Sequence, residues 1–242
     1  KRQVVTMVPD SPQVEGVILG ADGVLDAGRD GQLVMDMSTV DPETTDRVAA
    51  ALRAQGRAFV DAPVGRLVTN AEAGTSLFMV GAEPDDLEWV KPLLESMGDT
   101  ILHCGGPGAG IRTKLVNNFL IMGINQMNAE ALALAQGFGL DLATTLQVIG
   151  GTTATNGQLS LNWPNKVLKD DLAPGFRMVL AHKDVSLAVE SARKIGLPVY
   201  AGTAVRESLA MANATEDYAD KDFSGIVDAV CKLGNIKPPR MG

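Results

Sequence analysis

The stretch Gly105-Gly-Pro-Gly-Ala-Gly-Ile-Arg-Thr-Lys-Leu-Val-Asn-Asn118 marks the place where the character of the chain changes. Before it, short apolar runs alternate with helical patterns, and after it every patterned segment is helical. Its glycines and proline predict a turn that leads directly into a helix. We therefore expect an α/β half and an all-α half, with the boundary near Gly110.

The helix that this stretch opens carries candidate catalytic residues. Lys114 and Asn118 are four residues apart, so they project from one face of a helix, a single turn apart. A lysine beside an amide side chain is what a site needs to protonate a carbonyl oxygen and to hold it in place. The alternative is a glycine turn that caps an ordinary amphipathic helix, with Lys114 solvated.

The first half of the chain predicts a parallel or mixed α/β sheet. Short apolar runs alternate with longer amphipathic segments, and the helical segments open on Asp-Pro or Glu-Pro signals. The predicted strands are residues 4–7, 32–36, 58–61, 77–80 and 100–103, and the predicted helices are residues 41–54 and 84–97.

The second half predicts helices only. Residues 112–138 follow a helical pattern without a proline, roughly 27 residues or about 40 Å long. Further helices are predicted for residues 142–149, 158–167, 183–195, 198–211 and 224–233. We therefore expect two domains, an α/β domain of residues 1–110 and an all-α domain of residues 111–242.

Composition and charge exclude several classes of function. A net charge of −8 provides no basic face for a nucleic acid. No apolar run reaches the roughly 18 residues of a membrane span, and nothing at the N-terminus resembles a signal peptide. Two cysteines and two histidines give neither a disulfide framework nor metal-ligand spacing. We expect no metal, no nucleic acid and no membrane partner, and a reduced cytoplasmic location.

A G-x-G-x-x-G turn, the phosphate-binding motif of dinucleotide folds, follows none of the predicted strands. Either the first strand-helix-strand unit with that turn precedes Lys1, or the chain does not bind a dinucleotide. We expect the first, because a sheet without its first crossover would leave an edge exposed.

Four motifs occur together in one order. They are Asp36-Met-Ser-Thr39 with Pro42, Asp61-Ala-Pro-Val64, the glycine-rich stretch leading to Lys114 and Asn118, and His182-Lys183-Asp184. Together they resemble the β-hydroxyacid dehydrogenase family, whose members include 3-hydroxyisobutyrate dehydrogenase and the glyoxylate and succinic semialdehyde reductases. The resemblance covers essentially the whole chain. It implies a Rossmann-type NAD(P)-binding domain (1–110, N-terminally incomplete) joined by one long helix to an all-helical substrate and oligomerisation domain (111–242).

The resemblance also implies roles for individual residues. Lys114 would be the general acid-base, and Asn118, with Asn117, would bind and orient the substrate. On the cofactor side, the turn Met7-Val8-Pro9 would pack along NAD, and Thr39 would lie against the nicotinamide ribose. Lys183 would approach the cofactor, whereas His182 is expected to be structural. Thr39 as a plain helix cap and Lys183 as a solvated charge are the alternatives.

The loop after Val64 departs from the family pattern. Most members continue with Ser-Gly-Gly, whose backbone amides hold a planar carboxylate, whereas this chain has Gly65-Arg66-Leu67. An arginine adds a positive charge and several donors for an anion such as a sulfonate. The resemblance thus implies NADH-dependent reduction of 3-sulfolactaldehyde to 2,3-dihydroxypropane-1-sulfonate in sulfoquinovose degradation. One residue argues against a sulfonate substrate, since Ile121 is apolar where the sulfonate branch has a serine. The alternative for Arg66 is a surface arginine at the tip of an exposed loop.

Two other functions stay open at this point. The same chemistry could act on a carboxylate, as in a 3-hydroxyisobutyrate dehydrogenase or a succinic semialdehyde or glyoxylate reductase. The second open function is that of a non-catalytic assembly module. The presence of Lys114, Asn118 and Thr39 together argues against it, because assembly requires none of them. NADP is not excluded, since the residue that selects the cofactor would precede Lys1. The apolar helical half suggests a homodimer or a homotetramer.

Overall fold

The computed structural model describes residues 2–29, 31–215 and 217–241. The chain divides into two compact units, Lys1–Asn117 and Asn118–Gly242. The first unit contains strands and helices, and the regular elements of the second, among its described residues, are all helical. The fold class expected from the sequence is therefore confirmed.

A six-stranded mixed sheet forms the centre of the first unit. Its strands are β1 (Gln3–Thr6), β2 (Leu33–Asp36), β3 (Ala58–Asp61), β4 (Val64–Gly65), β5 (Ser76–Gly81) and β6 (Gly98–Gly105). The spatial order is β1-β2-β3-β5-β4, and β6 also pairs with β5. Strands β1, β2 and β3 are parallel, whereas β3 and β4 both run antiparallel to β5. Strand β6 is parallel to β5.

Polar residues share one register at the carboxyl ends of the three parallel strands. Thr6 lies opposite Asp36, and Asp36 lies opposite Asp61. Beyond β3 the sheet continues with β5, where Gly81 lies opposite Asp61 of β3 and Leu77 lies opposite Gly65 of β4. Because ligands of open α/β sheets bind outside the carboxyl ends of the strands, this edge positions the candidate site.

Helices cover both faces of the sheet, with α1 (Ser11–Leu19) and α3 (Pro42–Ala54) in one buried cluster and α5 (Pro84–Glu95) in the other. Two short helices, α2 (Val24–Ala27) and α4 (Val68–Glu72), lie in the connections between strands and helices. Proline stands in the first turn of α1, α3 and α5, where its missing N–H has no helical partner to lose. Along β2, Leu33 and Met35 pack in the cluster that contains buried residues of α5, whereas Val34 packs with those of α1 and α3. This alternation follows from the two-residue period of a strand.

Helix α6 (Ala109–Gly137) is the long helix that the sequence predicts. The second unit contains its residues from Asn118 onwards, followed by α7 (Leu142–Gly150), α8 (Met178–Lys194), α9 (Tyr200–Ala214) and α10 (Ile226–Leu233). Trp163 is fully buried in this unit and donates from Nε1 to Asn125 Oδ1 at 2.8 Å. Asn125 in turn donates to the Phe223 carbonyl at 2.9 Å, so this polar residue of α6 is satisfied inside the core.

The prediction of one continuous helix over residues 158–167 is wrong. Gln158–Asn162 forms a π-helical turn, followed by 3₁₀ turns at Trp163–Asn165 and Val167–Lys169. Pro164 lacks the N–H that a continuous helix needs, and Lys166 has φ −128° and ψ −111°, outside the helical region. The sequence prediction also omitted α1, α2, α4 and the two-residue strand β4. No helix in the described ranges is both long enough and apolar enough to span a bilayer.

Candidate active site

The carboxylate of Asp61 holds the start of α6 against the sheet edge. Its Oδ1 accepts a hydrogen bond from the Gly108 amide at 2.5 Å, and its Oδ2 accepts one from the Ile111 amide at 2.7 Å. The first amide groups of a helix have no partner within the helix, so an acceptor here stabilises the first turn. The negative charge also complements the positive end of the helix dipole.

Two glycines allow this close approach. A Cβ atom on Gly81 would overlap with Asp61 Oδ1 and lie 2.8 Å from the Gly110 nitrogen. A Cβ atom on Gly110 would overlap with the Met79 carbonyl oxygen and lie 2.9 Å from Asp61 Oδ2. All four of these contacts are with backbone atoms or with the Asp61 carboxylate, which its two amide donors hold in place. Glycine is therefore required at both positions for α6 to begin where it does.

Burial raises the pKa of Asp61 to about 6. The hydrogen bonds from the Gly108 and Ile111 amides lower it, and the nearby charge of Asp36 raises it. The carboxyl group is 2% exposed, which explains why desolvation is the dominant cause. This carboxyl therefore changes its charge near neutral pH rather than near pH 4.

Lys114 lies one turn beyond Ile111 on α6 and is half-buried. Its Nζ donates a hydrogen bond to the carbonyl oxygen of Val64 at 2.7 Å. Val64 belongs to β4, directly beside Gly65, which is buried and lies opposite Leu77. The contact fixes the ammonium group to the segment in which the Gly65-Arg66 departure from the family pattern occurs.

Arg66 follows Gly65 in a strained backbone conformation, with φ +70°. The other non-glycine residues with positive φ in the described ranges are Asp22, Asp170 and Asn235, residue types that tolerate it better. For an arginine this conformation costs about 1 to 3 kcal/mol and is typical of functional positions. We conclude that the fold holds Arg66 in place against a local preference.

The guanidinium of Arg66 reaches across the start of β5 to β6. It contacts Asp99 Oδ1 at 2.6 Å and Thr100 Oγ1 at 2.9 Å, and it also donates to the Thr75 carbonyl. The pKa of Asp99 is held below its usual range by the Thr100 hydroxyl and by Arg66. Both members of this ion pair are partly exposed, with side-chain exposures of 33% and 51%.

A hydrogen-bond network ties together the loops that follow β1 and β2. Asp36 Oδ1 accepts from Thr6 Oγ1 at 2.9 Å and from Ser38 Oγ at 2.7 Å, and Ser38 Oγ accepts from the Val8 amide at 2.9 Å. Burial raises the pKa of Asp36, and the bonds from Ser38 and Thr6 oppose that rise. The network fixes the turn at Val8 and the segment before Thr39.

The carboxyl ends of β1 and β2 form the edge at which dinucleotides bind in sheets of this class. Residues 7–9 follow β1 outside regular secondary structure, and Met7 is 68% exposed, so an apolar side chain is accessible at this edge. Thr39 is half-buried two residues before Asp41. Asp41 stands at the N-cap position of α3, so Thr39 is not that cap.

In the second unit, Asp184 joins two of the predicted site residues. Asn118 donates from Nδ2 to Asp184 Oδ2 at 2.6 Å, and Lys183 Nζ lies 3.5 Å from Asp184 Oδ1. Asn118 and Asp184 are 3% and 2% exposed. A buried carboxylate is tolerated when it is paired and hydrogen-bonded, and here it orients an amide and a lysine together.

The remaining predicted residues have plainer surroundings. Asn117 is exposed on α6. His182 is half-buried, and desolvation lowers its pKa, as does the charge of Arg206. No group of three potential metal-ligating side chains occurs among the residues that the structure describes.

Sequence reasoning missed two residues of this arrangement. The sequence assigns Asp61 no role beyond its place in the Asp61-Ala-Pro-Val64 motif, because its partners are backbone amides of a segment far along the chain. Asp184, beside Lys183, likewise has no role that the sequence predicts. Its signal was an acidic residue on an otherwise apolar helix face, which requires a partner when buried.

Profiles of two protein families match the chain in succession. The first, described as the NAD binding domain of 6-phosphogluconate dehydrogenase, matches residues 1–106. The second, described as the NAD-binding domain of NADP-dependent 3-hydroxyisobutyrate dehydrogenase, matches residues 108–230.

Individual relatives agree with these profiles. The chain is 38% identical to 3-sulfolactaldehyde reductase of Escherichia coli, over 94% of this chain and 76% of that protein. It is 36% identical to 3-hydroxyisobutyrate dehydrogenase of Pseudomonas aeruginosa, over 92% of this chain and 77% of that protein. Among solved structures, Mycobacterium tuberculosis 3-hydroxyisobutyrate dehydrogenase with L-serine superimposes with a TM-score of 0.84 at 32% identity, over 94% of this chain and 79% of that chain.

Proposed function

The chain belongs to the β-hydroxyacid dehydrogenase family, the 3-hydroxyisobutyrate dehydrogenase-like NAD(P)-dependent oxidoreductases, and we propose that it reduces 3-sulfolactaldehyde to 2,3-dihydroxypropane-1-sulfonate. The observation that carries this choice of substrate is Arg66. Arg66 follows two residues after Val64, whose carbonyl oxygen holds Lys114, and its guanidinium group is bound by Asp99, Thr100 and the Thr75 carbonyl. The similarity to 3-sulfolactaldehyde reductase supports the same substrate.

Lys114 is the proposed general acid. Its ammonium group has three N–H donors, of which the Val64 carbonyl takes one and fixes the direction of the group. As the aldehyde is reduced, negative charge develops on its oxygen, and a fixed ammonium group beside that oxygen stabilises the charge. Lys114 then transfers a proton to the oxygen, which completes the alcohol.

The cofactor, when bound, supplies the hydride for the carbonyl carbon. We propose that the turn of Met7, Val8 and Pro9 packs along it and that Thr39 contacts its ribose. The hydrogen bond from Val8 to Ser38 supports this role, since it fixes the turn before any ligand binds. Lys183 is a further proposed cofactor contact, and NADH is the proposed form.

Asn118 is the proposed residue that orients the substrate, together with Asn117. Because Asp184 accepts one amide hydrogen of Asn118, the direction of the side-chain carbonyl and of the second N–H is fixed as well. An amide held in this way loses little conformational entropy when the substrate binds.

Arg66 is the proposed clamp for the sulfonate, with backbone amides near Gly65. The present partner of its guanidinium is Asp99, in a partly exposed ion pair. Exposed ion pairs contribute little to stability, so a sulfonate can replace Asp99 without a large penalty. A sulfonate has three oxygens for the guanidinium fork, whereas a carboxylate has two.

The test is the reduction of two aldehydes by the full-length protein, 3-sulfolactaldehyde and succinic semialdehyde, followed by NADH oxidation. We expect a clear kcat/KM preference for the sulfonate, and we expect Arg66→Ala to remove that preference mainly through KM. Arg53→Ala is the matched control, since Arg53 is an exposed arginine paired with Glu83 at 3.6 Å. A wild-type preference for the carboxylate would refute the sulfonate assignment and leave Lys114 chemistry in place.

A carboxylate substrate is the second candidate. It is favoured by Ile121, which provides no polar contact, and by the nearly equal identity to a 3-hydroxyisobutyrate dehydrogenase. Absence of any NADH oxidation with a panel of both aldehyde classes would instead favour an assembly role. A homodimer or homotetramer in the cytoplasm is part of the proposal, and light scattering at several concentrations measures the assembly.

A further inference from the structure

We propose that Asp61 is a positioning residue for the reaction, because its carboxylate fixes the first turn of α6 and thereby the place of Lys114. This inference rests on the proposed role of Lys114 as the general acid. Asp61 itself touches neither substrate nor cofactor in this scheme. It acts through the backbone of the helix that carries the acid.

The Asp61 carboxylate binds α6 one helical turn before Lys114. Asp61 Oδ2 binds the amide of Ile111, and Lys114 follows one helical turn later, so the helix rises only about 4.5 Å between them. A shift of the first turn is therefore transmitted to Lys114 without a flexible segment in between. A displacement of about 1 Å at a reacting group can lower a rate by about 10²-fold.

Only a carboxylate of this length suits the junction. It offers two acceptor oxygens for two amide donors, whereas an asparagine offers one oxygen and would turn an NH₂ group toward the other amide. A glutamate would need room for another methylene group. The overlap of any Cβ on Gly81 or Gly110 with neighbouring atoms shows that the junction has none.

The charge of the clamp changes within an accessible pH range. Burial raises the pKa of Asp61 to about 6, so the carboxyl gains a proton as the pH falls below that value. The charged groups that interact with it are Asp36 on the neighbouring strand and Arg112 on α6. Arg112 is itself paired with Asp46 of α3 at 2.7 Å. Protonation removes the charge and turns one acceptor oxygen into a hydroxyl donor, and Asp61→Asn likewise removes the charge and replaces one acceptor oxygen by a donor group.

The experiment compares kcat for aldehyde reduction between pH 5 and 8 in the wild type, Asp61→Asn and Lys114→Met. We expect the wild-type kcat to fall on the acid side of about pH 6. Asp61→Asn should show a kcat about 10-fold lower or more at pH 7.5, without the acid break, while the Kd for NADH changes less than about threefold. In other words, the variant should behave at every pH as the wild type does at low pH.

Asp222→Asn is the matched control. Asp222 is a buried carboxylate of the second unit that accepts backbone amides of Gly175 and Phe176 at 2.9 and 3.2 Å. A clamp that is only structural should behave like this one, with lower thermal stability and an unchanged acid limb of kcat. Should Asp61→Asn fail to fold, Gly110→Ala gives the second test, because it displaces the same first turn of α6, and an unchanged kcat in that folded variant overturns the proposal.

The two possible failures are distinguishable. If Lys114→Met keeps near-normal turnover, the proposed function is wrong. If Lys114→Met loses turnover but Asp61→Asn keeps the wild-type kcat and its pH dependence, the general acid stands and the positioning role of Asp61 is refuted.

Discussion

The side-chain amide of Asn118 donates a hydrogen bond to Asp184 at 2.6 Å, and both residues are buried. The carboxylate thereby determines which way the amide of Asn118 faces. Removing either side chain should therefore disturb the same function.

The first prediction is a coupling between these two residues. Asn118→Ala and Asp184→Ala should each lower kcat/KM about 10-fold or more, and the double variant should lose much less than the product of the two effects. Asp184→Asn keeps an acceptor for Asn118 but removes the charge near Lys183, so it should lose less than Asp184→Ala. A double-mutant cycle in kcat/KM measures this, and fully multiplicative effects would contradict it.

The second prediction concerns the acid. Lys114→Met should lower kcat by about 10²-fold or more, because it removes both the charge and the transferable proton. The Kd for NADH should change little. Stopped-flow reduction under single-turnover conditions separates the chemical step from product release, and an unchanged single-turnover rate would argue against the acid role.

The third prediction concerns the counter-ion of Arg66. Asp99→Asn removes the carboxylate that binds the Arg66 guanidinium, so the KM for an anionic aldehyde should fall several-fold and kcat should stay close to the wild-type value. The effect should weaken as salt is added. Glu83→Gln, which releases the exposed Arg53, is the control and should leave KM unchanged.

The fourth prediction compares two glycines of the same helix. Gly110→Ala places a methyl group against the Met79 carbonyl oxygen and should lower both thermal stability and kcat. Gly123→Ala meets nothing within 4 Å and should stabilise the protein by about 0.5 to 1 kcal/mol, through helix propensity alone. Thermal melts and kcat of both variants test this contrast, and equal effects would show that the junction tolerates a side chain.

The fifth prediction is a pH dependence of stability. Because the folded-state pKa of Asp61 is raised to about 6, the folded protein holds this proton more tightly than the unfolded chain does. The resulting stability is fully present below about pH 4 and is lost as the pH rises through about 6, a difference on the order of 3 kcal/mol. Urea unfolding of wild type and Asp61→Asn at pH 4.5 and 7 measures this contribution to the free energy of unfolding. The other carboxylates contribute equally in the two proteins, so the difference between them belongs to Asp61. Parallel pH dependences in the two proteins would contradict this assignment.

The parts of the fold that could be predicted are those encoded locally. The apolar run at β2 and the Asp-Pro start of α3 identify their elements without distant contacts. Strand β4 could not be predicted in this way, because its two residues form a strand only by pairing with β5. The break at Trp163-Pro164 carried a local signal, since proline removes a helical donor, and the prediction gave it too little weight.

The residues of the candidate site also differ in whether the sequence alone identifies them. Lys114 and Arg66 stand out by residue type, so sequence reasoning found them, although their proposed roles stay predictions. Asp99, the partner of Arg66 in this structure, could not be identified from the sequence, because it lies on β6, 33 residues further along the chain. The roles of Asp61 and Asp184 depend on contacts 47 and 66 residues away, which no local pattern encodes.

The junction of Asp61, Gly81 and Gly110 has a practical consequence for protein engineering. Only a few atoms at the start of α6 must keep a fixed geometry. Arg66 and the residues up to Gly74 lie outside this junction and are largely exposed. A library that randomises residues 66–74 and leaves the junction intact should yield many folded, active clones with altered substrate range. A library of equal size at the junction should yield almost none.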